Sequence, residues 1–165
     1  MESNKSPLLQ LINNVSFFDE FSESEKCELA DKRALVKKYD KKGSTIFSEG
    51  DKGGSALVIL AGEVRIIKSS VPATGEGRVS LRSPIDITLA KVGVGSVIGE
   101  VSLLSNKSRT TGVLTSASLV IVLEINRKNL ESFNSSIQSK FYTQFISILI
   151  NRLEVMNEKY GRSQM

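Results

Sequence analysis

Gly99-Glu100-Val101-Ser102-Leu103-Leu104-Ser105-Asn106-Lys107-Ser108-Arg109-Thr110-Thr111 is the stretch on which the reading of this chain turns. It opens with a glycine and a carboxylate, runs through a short apolar segment and ends on an arginine beside two hydroxyls. Gly99 lets backbone approach a ligand or adopt a conformation that a side chain forbids. Glu100 can accept a hydrogen bond from a sugar hydroxyl. One helical turn over Val101–Leu104 points free N–H groups at an anion, and the helix dipole favours negative charge there. Arg109 supplies a planar fork for phosphate oxygens, and Thr110 and Thr111 can hydrogen-bond a phosphate or a base. Together the parts match a phosphorylated sugar.

Outward from this stretch the pattern is of short strands broken by glycine. On the N-terminal side Leu35–Tyr39, Ser44–Ser48, Ala56–Ala61, Glu63–Lys68 and Ile85–Val92 read as strands. Asp40-Lys41-Lys42-Gly43, Glu49-Gly50-Asp51, Gly53-Gly54, Gly62 and Gly93-Val94-Gly95 supply the turns. Ser69–Pro84 is polar, and the expectation there is a loop or hairpin tip carrying Arg78 and Arg82. On the C-terminal side Gly112–Leu114 and Leu119–Ile125 read as two more strands. Helical patterns occur only at the ends. Leu8–Val15 is one, and Ser22-Glu23-Ser24-Glu25 is a capping box opening a second that carries Cys27, Leu29 and Ala30. Asn126 can cap Arg127–Phe133, and Ser135-Ser136-Ile137-Gln138 reads as a capping box for a long helix to about Tyr160. Many short strands with helices at the ends imply a mainly β fold with flanking helices, α+β in class.

The Gly99–Thr111 stretch resembles the phosphate-binding cassette of the cyclic nucleotide-binding domain family. That pattern is Gly-Glu, an apolar run, a short variable loop, then Arg and a small residue. Phe47-Ser48-Glu49-Gly50-Asp51, Ala56–Val64 and the aromatic Val15–Phe21 segment resemble other parts of the same domain, so the resemblance covers roughly Val15 to Phe133. It implies a double-stranded β-helix or jelly-roll barrel: N-terminal helices at about 8–34, a β-roll at about 35–125 and C-terminal helices at about 126–160, the last a lid, all in one domain. It implies that Glu100, with Gly99, holds the ribose 2′-hydroxyl. Arg109, the N–H groups of Val101 and Ser102, and Thr110 would take the phosphate, with Thr110 or Thr111 at the base. Ser108, Thr110 and Thr111 stand where many members have Pro, Ala and Ala. In the family a threonine after the arginine often accompanies guanine in its syn form, which tilts the expectation towards cGMP; cAMP is the commoner ligand and is placed slightly ahead.

Composition narrows the alternatives. The 165 residues suffice for one full core, and a formal charge of +4 with scattered basic residues does not indicate nucleic acid. Histidine is absent, which removes Ser-His-Asp and Cys-His catalysis, and no nucleophile–base pair or metal cluster emerges. Cys27 stands alone, so no intrachain disulfide is possible, and a buried apolar thiol is expected. With no signal peptide and no apolar run long enough for a bilayer, a cytoplasmic setting is expected. Glu49, Asp51 and Glu63 read as turn and solvent residues, and Phe17, Phe18 and Phe21 as core.

The long helix carries apolar residues on more than one side: Ile137, Phe141, Phe145, Ile148, Leu149, Leu153, Met156 and Tyr160, and also Tyr142, Ile146 and Ile150. A helix apolar beyond one stripe needs a second surface, such as a twin helix in a homodimer, an effector protein or the bound base. The expected function is a non-catalytic cyclic nucleotide sensor that repositions this helix. The alternatives are a ligand-free interaction or dimerisation module, in which Glu100 and Arg109 merely pair with each other, and a regulatory fragment of a transcription factor, channel or kinase.

Overall fold

The computed structural model describes residues 6–70 and 85–163. Arg78, Arg82 and most of the expected 69–84 loop lie outside the described residues. Ser69 and Ser70, expected in that loop, are the end of a strand.

Helix α1 (Pro7–Asn13) starts one residue earlier than its apolar pattern indicates and stops short of Val15. Ser6 accepts from the Leu9 N–H at 3.2 Å, and Pro7 sits in the first turn, where its missing N–H costs nothing. Helix α2 (Glu23–Asp31) has the expected capping box: Ser22 Oγ accepts from Glu25 N, and Glu25 Oε1 accepts from Ser22 N at 2.8 Å. Cys27 on this helix is half-buried rather than enclosed.

Eight strands follow: β1 (Val36–Tyr39), β2 (Thr45–Phe47), β3 (Ser55–Ala61), β4 (Val64–Ser70), β5 (Ile85–Val92), β6 (Val97–Ile98), β7 (Gly112–Thr115) and β8 (Val120–Asn126). They form two four-stranded antiparallel sheets, ordered β1-β8-β3-β6 and β2-β7-β4-β5. The two-residue β6 is too short to show a period in the sequence.

Strand β3 explains the layering. Its residues alternate between two apolar clusters, so Ala56, Val58 and Leu60 face the helices while Leu57 and Ile59 face the second sheet. Strand β8 repeats this, with Leu123 and Ile125 towards the helices and Val120 and Val122 between the sheets. A strand buried on both faces reads as a continuous apolar run, as Ala56-Leu57-Val58-Ile59-Leu60 does.

Helix α3 (Glu100–Ser105) leaves β6 through Gly99 and ends at Asn106, which adopts φ 57°. The left-handed conformation that closes a helix is tolerated by asparagine. Helix α4 (Arg127–Ser132) is capped by Asn126, as expected. Helix α5 (Ser135–Ser163) is capped differently from the expectation. Asn134 Oδ1 accepts from Ile137 N at 3.0 Å, and Gln138 turns back to the Phe133 carbonyl instead of completing a Ser135 box. The helix runs through Gly161, because one exposed glycine costs only about 1 kcal/mol.

The first half of α5 is anchored by aromatics. Phe141 and Phe145 are fully buried against Phe17, and Phe141 meets Phe21 edge-on at 5.2 Å. Glu25 adds a polar tie, accepting from Lys140 and from Ser136 Oγ. The Lys140 ammonium, more than any other neighbour, holds the Glu25 carboxyl down to about 2, from an ordinary value of 4.5. A carboxylate more acidic when folded stabilises the fold above its unfolded value, and that contribution disappears as pH falls through the folded value. Denaturant unfolding of Glu25→Gln beside the parent should therefore show a deficit at neutral pH that shrinks between about pH 4.5 and pH 2. A deficit independent of pH would contradict this account of the tie.

Candidate functional site

The residues singled out in the sequence line one cavity. It has a volume of 390 Å³, within the range typical of small-molecule sites, roughly 300–1,000 Å³. Its apolar wall comes from the roll: Phe47, Ile66, Ala90, Val92, Ile98 and Val113. Its polar side is the cassette, with Gly99, Glu100, Val101, Ser102, Arg109, Thr110 and Thr111, and Arg152 reaches in from α5.

Gly99 makes the geometry possible. Its φ is +80°, and a Cβ there would strike the Arg109 guanidinium and come within 2.8 Å of the Ser55 carbonyl. The chain therefore turns from β6 into α3 in contact with the arginine. The first N–H with a partner in this turn is that of Leu103, donating to the Gly99 carbonyl at 3.2 Å. The N–H groups of Val101 and Ser102 precede that bond and lie at the positive end of the turn. Val101 is exposed, and Ser102 is buried.

Arg109 is 6% exposed and held on three sides. Nη1 donates to the carbonyls of Ser55 at 2.7 Å and Gly99 at 3.2 Å, and Nη2 donates to Ser55 Oγ at 2.7 Å. Ser55 Oγ in turn donates to Glu124 at 2.9 Å, so the hydroxyl relays the arginine to a carboxylate. The guanidinium lies 4.1 Å from the centre of the Phe47 ring, within cation–π range. Burial lowers its pKa, and the carboxylates of Glu124 and Asp51 oppose that shift. A guanidinium has five N–H donors; Nε–H and one Nη2 hydrogen have no partner among the described residues and remain as a pair for an incoming anion.

The backbone of Arg109 is pinned as well. Its N–H donates to the Asp51 carbonyl at 2.8 Å, and its carbonyl accepts from Gly50 at 2.8 Å. Asp51 accepts from Ser48 N at 2.9 Å, the turn role expected of it. Glu63 accepts from Ser116 Oγ at 2.9 Å. Glu49 does more than cap a turn. It pairs with Lys68 at 2.9 Å, which holds its carboxyl below the ordinary range, and Lys68 donates to the Thr110 carbonyl at 2.9 Å. Thr110 is exposed and Thr111 half-buried at the cavity.

Glu100 is 1% exposed and does not pair with Arg109. Its partner is Arg152, whose Nη1 binds Glu100 Oε1 and whose Nη2 donates to the Val97 carbonyl at 2.9 Å. The mutual Glu100–Arg109 pair of the ligand-free alternative is therefore not what forms.

The sequence reading missed Arg152, Ser55 and the ring contact of Phe47. Ser55 and Arg152 lie 54 and 52 residues from their cassette partners, and no local spacing connects them. Arg152 occupies one position in a helix anchored to the roll by the aromatic packing of Phe141 and Phe145, which sequence spacing does not show.

Comparison with known proteins agrees with the geometry. Residues 37–136 match the model of the cyclic nucleotide-binding domain. The chain is 28% identical over 156 residues to the cGMP-dependent protein kinase egl-4 of Caenorhabditis elegans, covering 94% of this chain and 16% of the kinase. Among solved structures it superposes on a cyclic nucleotide-binding domain from Methylobacillus flagellatus with a TM-score of 0.66 and 26% identity, covering 94% of this chain and 79% of that one. It shares its fold with the catabolite activator protein of Thermus thermophilus at a TM-score of 0.66 and 17% identity, covering 90% of this chain and 62% of that one.

Proposed function

Because the chain belongs to the cyclic nucleotide-binding domain family, we propose that it is a non-catalytic sensor of cAMP or cGMP that answers ligand by repositioning α5. The observation that carries this reading is the pair of open donors on Arg109, set beside the first turn of α3 in a cavity that also holds Glu100. The two donors and the Val101 and Ser102 N–H groups suit the cyclic phosphate. Glu100 suits the ribose 2′-hydroxyl, with Gly99 shaping the approach. The apolar wall leaves the base to Thr110, Thr111 and dispersion contacts.

The output surface in this reading is α5. From Ile150 to Ser163 every residue is exposed, and Ile146, Ile150, Leu153, Met156 and Tyr160 are apolar residues that nothing covers among the described residues. A second copy of the chain or an effector protein would cover them. Among the described residues no helix is long and apolar enough to cross a membrane.

Thermal melts with cAMP, cGMP and 5′-AMP test the proposal. A ligand binding only the folded state at a hundredfold excess over Kd adds about 2.7 kcal/mol, roughly 5–10 °C for a chain of this size. The expected result is a shift with a cyclic nucleotide and none with 5′-AMP, and the larger shift identifies the base. Self-association through α5 would add a dependence of the midpoint on protein concentration. No shift with either cyclic nucleotide at millimolar concentration would contradict the sensor reading.

A further inference from the structure

We propose that the outer edge of β1 and the cavity beside it form a docking groove for an acidic segment of a partner protein, bound in extended form with one apolar side chain in the cavity. The inference stands apart from the cyclic nucleotide reading, because this cavity shares no lining residue with the cassette cavity.

The cavity has a volume of 440 Å³. Leu8 and Leu11 of α1, Ala30 of α2, Val36 of β1 and Ile121 of β8 form its apolar wall. Leu8, Leu11, Val36 and Ile121 are half-buried, at the margin of the core that the helices share with the sheet. An apolar side chain seated there would remove apolar surface from water on both partners.

Charge selects the occupant. Basic residues occur throughout the chain, but their surplus does not. Residues 31–42 hold six Lys or Arg and two Asp, a surplus of four, which equals the formal net charge of +4 of the whole chain. Lys32 is engaged, 4.0 Å above the Phe133 ring. Arg33, Lys37, Lys38, Lys41 and Lys42 are exposed, and their side chains have no ion-pair or hydrogen-bond partner among the described residues. Arg33 lines the cavity, as does the carboxylate of Asp31. Lys38 stands opposite Ile121 in the β1–β8 ladder, so it shares the cavity face of the strand with Val36.

The backbone supplies the third feature. Strand β1 ends its sheet, and its outer edge has no strand partner among the described residues. An extended peptide can add to such an edge, with main-chain bonds giving affinity and alternate side chains giving specificity. Lysines on an edge strand also deter pairing with another sheet. That role alone requires no apolar cavity in register with them. An acidic extended peptide uses the cations, the unpaired edge and the cavity together, whereas a bilayer of anionic lipid uses only the cations.

The test selects displayed random peptides of about twelve residues on the full chain, then titrates the enriched ones as synthetic peptides by fluorescence anisotropy. Parent, the Lys37→Glu/Lys38→Glu double variant and Leu8→Gln are compared, with circular dichroism and melting confirming the fold. Enriched peptides should carry Asp or Glu around an apolar residue, and added salt should weaken them. Affinity should fall about tenfold or more in the double lysine variant and about threefold or more in Leu8→Gln. Amide exchange in β1 should slow when peptide is bound. Should Leu8→Gln lose its fold, the double variant, whose changes are at exposed positions, decides. Enriched peptides without acidic residues, or acidic peptides that bind the double variant as they bind the parent, overturn the inference. So does a selection with no enrichment, including the case in which phosphatidylglycerol vesicles bind through the same lysines, which would assign the charges to a membrane surface.

Discussion

Replacing Arg109 by alanine should weaken cyclic nucleotide binding about a hundredfold or more. Two guanidinium donors have no partner among the described residues, on a residue that lines the cavity, and a hydrogen bond to a charged group contributes about 1.5–3 kcal/mol, so losing both removes about 3 kcal/mol or more. The thermal shift with nucleotide should then vanish at concentrations that saturate the parent. The substitution also strips partners from the Ser55 carbonyl and hydroxyl and removes the cation from above Phe47, so the unliganded protein should itself melt lower. Arg109→Lys separates the two effects. An ammonium keeps the charge but lacks the fork, so it should restore little of the affinity. Parent-like nucleotide shifts in Arg109→Ala would show that the anion binds elsewhere.

Gly99→Ala should be the most destabilising single methyl in the cassette. The residue sits at φ +80°, where a side chain is strained by about 1–2 kcal/mol, and the added carbon meets the Arg109 guanidinium and the Ser55 carbonyl. Overpacking of this kind costs a further 1–3 kcal/mol, so a total of about 3 kcal/mol is expected in denaturant unfolding. Relief can come only from moving Arg109 or the turn, and either displaces the donors from the anion position. Nucleotide affinity should fall along with stability. A loss of stability under about 0.5 kcal/mol would mean the turn is not held as the structure has it.

The parts of the fold legible in the sequence are those whose signal is local. Strand β5, Ile85–Val92, and the β3 run through Ala61 declare themselves by apolar content between turn residues, and Ser22–Glu25 declares its capping box. The cassette was legible because one short segment carries both its hallmark residues, Glu100 and Arg109, at a fixed spacing. What the sequence could not show is what those residues touch. Arg109 is completed by Ser55 from β3 and Phe47 from β2, and Glu100 by Arg152 from α5, all long-range meetings created by packing. The cap of α5 was misplaced by one residue because Asn134 and Ser135 are both competent caps, and only the geometry after α4 selects the asparagine. The same distinction applies to the apolar surface of α5. The sequence shows that it exceeds one stripe; the structure shows that its excess begins where the helix leaves the aromatic cluster, beyond Phe145.

The most direct test of the central claim is an equilibrium titration of the purified chain by calorimetry, with cAMP and cGMP in turn and 5′-AMP as the reference. The cavity beside Arg109 predicts one saturable site per chain for a cyclic nucleotide, with the linear monophosphate much weaker. Titrations that show no saturable binding of either cyclic nucleotide up to millimolar concentration would contradict it.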